Sequence, residues 1–82
     1  DMPIMNLPPG EGLGTYKLAT GSGVSIAASG TATVTTGLNT IVGFAVTPEA
    51  AISLSATASG GTLTVSNGTA TAGSFSWIAI GY

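Results

Sequence analysis

An all-β fold is what this sequence predicts: a small antiparallel sandwich or barrel of about six to eight short strands, with an extended N-terminal arm. Three observations lead there. From Thr15 onward, apolar residues alternate with Thr and Ser in short runs. Glycine or proline punctuates those runs about every 8–12 residues, the rhythm of strands joined by turns. No stretch carries the 3.6-residue period of a helix long enough to serve as a βαβ crossover, so a parallel sheet is excluded.

Residues 1 to 14, "DMPIMNLPPGEGLG", stand apart from this pattern. Pro8 and Pro9 fix extended backbone and withhold N–H donors, so the segment is neither helix nor central strand. Met2, Ile4, Met5, Leu7 and Leu13 are apolar, which a solvated tail would not require. The segment reads either as a frayed terminus or as an arm laid into a groove on a neighbouring subunit. The division is therefore an arm at 1–14 and a β-domain at 15–82.

Within the domain, "TYKLA" (15–19) and "VSIA" (24–27) read as strands around a "TGSG" turn. "TATVTT" (31–36) places Ala32 and Val34 opposite Thr31, Thr33 and Thr35. "IVGFAVT" (41–47) sends Val42, Phe44 and Val46 to one face, and Pro48 ends it before a turn at "PEAA". "ISLSAT" (52–57) aligns Ile52, Leu54 and Ala56. In "TLTVSNGTATA", Asn67-Gly68 suits a two-residue hairpin with Ser66 opposite Thr69, because both residues accept positive φ. That hairpin sets Leu63 and Val65 on the same side as Ala70 and Ala72. The expected core is Leu18, Val24, Ile26, Val34, Val42, Phe44, Val46, Ile52, Leu54, Leu63, Val65, Phe75 and Trp77.

The last strand, "SFSWIAIGY" (74–82), begins with one wet face and ends with none. If Phe75, Trp77 and Ala79 point inward, then Ser74, Ser76, Ile78, Ile80 and Tyr82 point outward. Covering Ile78, Ile80 and Tyr82 is worth roughly 1.5–3 kcal/mol each, a total comparable with the whole stability of a small domain.

Composition gives the same message. Lys17 is the only basic residue, the acids are Asp1, Glu11 and Glu49, and charged residues are 5% of 82, against about 25% in an ordinary soluble domain. A chain this short has a thin core and commonly needs a disulfide, a metal or oligomerisation. It has no Cys and no His, so neither disulfides nor a zinc site is available. Oligomerisation is left.

The same scarcity removes most chemistry. Nine serines and thirteen threonines have no histidine to activate them, and Glu11 and Glu49 lie far apart in sequence. The chain is read as non-enzymatic and without cofactor. One lysine cannot hold a phosphate backbone, which excludes nucleic acid as a partner. No apolar run approaches the length of a membrane-spanning helix. "GSG" and "GEGLG" are turns rather than phosphate loops, since neither follows a strand and opens a helix. "NGT" (67–69) has the form of a glycosylation sequon, but the hairpin already accounts for Asn-Gly. Thr-x-Thr pairs at 31/33, 33/35, 62/64 and 69/71 suggest ranked hydroxyls of the ice-binding kind, yet their intervals are irregular. Threonine also simply favours strands.

A proline-bearing arm, the stretches "GTATVTTGLNTIVGFAVTP" and "TASGGTLTVSNGTATAGSFSW", and the terminal "IAIGY" together resemble small virion proteins of tailed bacteriophages. The closest likeness is to capsid decoration, or cement, proteins. That resemblance implies a β-rich homotrimer on the outer surface of the capsid, bound to the major capsid protein and stabilising the shell, with the arm reaching across to coat subunits. More locally, "FSWIAIG" (75–81) is similar to the last strand of H-type lectin-like phage fibre domains, through Phe75, Trp77, Ala79 and Gly81. The expected role is structural, with Met2, Ile4, Met5, Leu7, Ile78, Ile80 and Tyr82 as contact residues. The alternatives are a tail-fibre or receptor-binding module, and a bacterial surface or pilus-like subunit.

Overall fold

A strand whose residues alternate Thr with Val or Ala can dry only one face, so it needs a second sheet to lie against. In the computed structural model, which describes residues 4–6 and 15–82, two antiparallel sheets meet in this way. The strands are β1 (Ile4–Asn6), β2 (Lys17–Ile26), β3 (Thr31–Thr35), β4 (Ile41–Pro48), β5 (Leu54–Ser59), β6 (Thr62–Asn67) and β7 (Gly73–Gly81). One sheet runs β2-β7-β4, with the short β1 added at the outside of β2; the other runs β3-β6-β5. The chain changes sheet after β2, β3, β4 and β6. The β1–β2 connection and the β5–β6 hairpin stay within their sheets.

The core forms where the alternation predicts. Ile26, Val34, Ile52, Leu63, Val65 and Phe75 are buried together, with Val24, Ala32, Val46, Leu54 and Ala56 packed around them. Phe75, Leu63 and Val65 are the largest fully buried side chains. A second, smaller cluster of Ala19, Leu38 and Ala79 was not foreseen. Ile41 and Trp77 touch both clusters and tie the two ends of the sandwich together.

Four local expectations are corrected. "TGSG" is not a turn: β2 continues through it, and the surplus residues form a bulge between Gly21 and Val24 opposite β7. Asn67-Gly68 closes no hairpin. Asn67 is the last residue of β6, paired with Leu54, and Ser66 faces Thr31 and Ser55 rather than Thr69. Ala70 and Ala72 accordingly lie exposed in the connection to β7. The two-residue hairpin falls instead at Gly60-Gly61, where Gly60 takes φ +58° and Ser59 pairs with Thr62.

The expected core also loses three members. Leu18 is paired with Ile80 on the outer face of its sheet and is half-buried. Val42 and Phe44 are 51% and 39% exposed. Leu18 is turned outward by the β2 bulge, since the residues beyond it, Val24 opposite Phe75, face the core. Val42 is taken out of the ladder by a register shift in β4 between Ile41 and Gly43, and Ile41 turns to the core in its place. Phe44 keeps the inner-face position opposite the buried Ala79 but stands open on the last strand of its sheet.

Asn67 explains why the chain leaves β6 as it does. Its side chain is 3% exposed. Its Nδ2 donates to the Ala27 carbonyl at 3.1 Å and the Thr71 carbonyl at 2.9 Å, while Oδ1 accepts from the Thr69 N–H at 2.9 Å. A buried amide so engaged pins the 27–30 and 68–71 loops to the strand end. With both N–H groups occupied and the side chain buried, the "NGT" asparagine is not presented for glycosylation in this fold.

Candidate interaction surface

In an antiparallel pair, residues directly opposite one another share a face. For β2-β7-β4, the outer face can therefore be read row by row. At one end the rows are polar: Ser25 opposite Ser74, and Ser76 opposite Thr47. At the other end they turn apolar. Ile78 stands between Thr20 and Ala45, and Ile80 between Leu18 and Gly43. Tyr16 and Tyr82 close this end with stacked rings, centroids 6.0 Å apart.

Among the described residues nothing covers this apolar end. Tyr16, Ile78 and Tyr82 are 37%, 41% and 51% exposed, and Ile80 is half-buried. A groove of about 210 Å³ runs over it, lined by Leu18 of β2, Gly43, Phe44 and Ala45 of β4, and Ile78, Ala79 and Ile80 of β7. Glycine at 43 and alanine at 45 make the depression: they leave low ground beside the two isoleucines of β7. Of the expected contact residues, Ile78, Ile80 and Tyr82 thus gather at one place. Ile4 and Met5 lie on β1, at register positions opposite Ala19 and Leu18, so the backbone of Met5 continues the Leu18–Ile80 row. Met2 and Leu7 lie outside the described residues.

The outer face of the other sheet is the chemical opposite. Register sets Thr31, Ser66 and Ser55 side by side, then Thr33, Thr64 and Thr57, then Thr35, Thr62 and Ser59. Nine hydroxyl residues form three ranks of three with no apolar or charged side chain among them. The Thr-x-Thr intervals are irregular along the sequence, yet the pairing makes them regular in space. That order depends on strand register, which spacing alone does not reveal.

Among the described residues no group of three or more His, Cys, Asp or Glu side chains comes together. Glu49 is spent locally: its Oε1 accepts from the Gly23 N–H at 3.2 Å, closing the β2 bulge. The surfaces can bind by shape, by apolar contact or by uncharged hydrogen bonds. The Tyr16–Tyr82 stack and the side of β4 that no described strand covers had no signature in the sequence, because both arise from which strands become neighbours. No family model, curated protein or solved structure matches the chain.

Proposed function

We propose that the protein is a structural, non-enzymatic component that works by being seated on other protein, as a decoration protein on the outside of a phage capsid shell. The observation that supports this most is the uncovered apolar end of the outer face, from Leu18 across Ile78 and Ile80 to Tyr16 and Tyr82. Contiguous apolar ground of this kind marks a contact surface. The low charge of the chain fits a molecule held among neighbours rather than one kept apart by repulsion. The partners are further copies of itself and the major capsid protein, with residues 1 to 14 as an arm toward coat subunits.

The test is direct. The purified chain is added to shells lacking it, and binding and the temperature of shell rupture are measured. Binding with a raised rupture temperature supports the reading. Binding to glycans or cells with no affinity for shells replaces it with the receptor-binding alternative.

A further inference from the structure

The strand β4 ends its sheet: among the described residues it is bonded to β7 on one side and to no strand on the other. Its two ends are occupied. The Ile41 N–H donates to the Gly60 carbonyl at 2.8 Å, and Pro48 has no N–H to offer. Between the bulge at Val42 and Pro48, the stretch Gly43–Thr47 keeps regular register with β7. Natural edges are usually guarded by lysine, by inward charge or by a covering loop. This stretch, "GFAVT", carries no charge; Phe44 stands exposed within it and Val42 just before it.

We infer that two copies join edge to edge through β4, about a twofold axis at Ala45, and that the joined pair rather than the single chain forms the complete apolar docking face. Such a contact is isologous. With the axis normal to the sheet, the two β4 strands run antiparallel and both outer faces stay on the same side. Gly43 of each copy then lies opposite Thr47 of the other, and the small Ala45 sits at the centre.

Area favours the pair. The outer-face residues Tyr16, Leu18, Ala45, Ile78, Ile80 and Tyr82 leave roughly 400 Å² open on one copy, about half of the ~800 Å² per partner that a stable protein interface buries. Edge pairing joins the two patches through one row, Ile78–Ala45–Ala45–Ile78, from which each runs diagonally past Ile80 to Tyr82 at opposite corners, beside the other copy's polar Thr47–Ser76 row, and together they reach that size. The inference rests on the proposed shell-binding role only for what the joined face docks onto; the pairing itself does not depend on it. An even count also departs from the three copies that the resemblance to decoration proteins implies.

Sedimentation equilibrium of the full chain, with hydrogen exchange on the same samples, tests this. The wild type is expected at twice the single-chain mass, with the β4 amides that do not bond to β7 protected. Ala45→Lys sets two ammonium groups face to face across the axis and is expected to weaken pairing at least about tenfold. Ile78→Asp, one strand away, is expected to keep the pair and lose shell binding. Thr33→Lys, on the hydroxyl face, is the control and is expected to leave both intact. A wild type of three copies, a wild type that binds shells as a single chain, or an Ala45→Lys protein that pairs as before overturns the inference. A wild type that pairs through β4 but ignores shells supports it and overturns the shell-binding role instead.

Discussion

Trp77 lies directly opposite Gly21 across the β2–β7 pair, and its indole occupies the space that a side chain at position 21 would fill. A Cβ there would run into the Trp77 ring. The glycine that looks like half of a turn in "TGSG" is therefore part of the packing of the only tryptophan, which with Ile41 links the two clusters of the core.

Gly21→Val tests that contact. The added side chain has to displace the indole, an overpacking of the kind that costs about 1–3 kcal/mol. The expected result is a lower denaturation midpoint together with a red-shifted Trp77 emission. An unchanged spectrum would show that the ring is not held there.

Asn67 supports a second prediction. Asn67→Ala leaves the Ala27 and Thr71 carbonyls and the Thr69 N–H without their side-chain partner, and the loss of such buried bonds costs about 1–3 kcal/mol per unsatisfied group. Asn67→Asp is expected to be worse. It points a buried carboxylate at two carbonyl oxygens where Nδ2 now donates. Urea unfolding of the two variants gives the order; an aspartate variant as stable as the wild type would contradict the latch.

Phe75→Ala removes the largest fully buried side chain. Truncations of this kind cost about 3–5 kcal/mol, close to the ~4–12 kcal/mol expected for a whole domain of this length. Circular dichroism is expected to show a chain largely unfolded at room temperature. A variant that stays folded would mean that stability is drawn from elsewhere than the sandwich core.

Gly81 gives a fourth. A Cβ at this position would collide with the Thr40 carbonyl, whose oxygen accepts from the Tyr82 N–H at 3.0 Å. Backbone, unlike a side-chain tip, has little room to yield. Gly81→Ala is expected to detach the end of β7 from the 39–41 segment, lowering the melting temperature and opening the Tyr16–Tyr82 stack. Near-ultraviolet dichroism of the tyrosines reads the second effect separately from the first.

Alternation was enough to find the strands, because a period of two reports which residues can share a dry face. It placed Val34, Leu63, Val65 and Phe75 correctly, and it put Ile78, Ile80 and Tyr82 on the outer side of the last strand. It failed wherever one extra residue entered a strand. The bulge after Gly21 looked like a turn and sets Leu18 on the outer face, and the shift at Val42 takes that residue out of the ladder and turns Ile41 inward. Asn67-Gly68 misled for a different reason. Its local preference for a hairpin was overridden by the bonds that the Asn67 amide makes to the Thr71 carbonyl four residues on and to the distant Ala27 carbonyl. The hydroxyl ranks and the open β4 side were beyond reading, since both depend on partners chosen across the chain.

The contrast between the two outer faces gives the most direct measurement. The chain contains no cysteine, so a single one introduced at Ile78 or at Thr64 reports only on its own surroundings. Thiol labelling rates are compared for each variant free in dilute solution and on shells. The cysteine at 78 is expected to be strongly protected on the shell, while the one at 64 labels as fast as in the free chain. Protection at 64 with unchanged labelling at 78 would place the hydroxyl plane, and not the isoleucine end, against the partner.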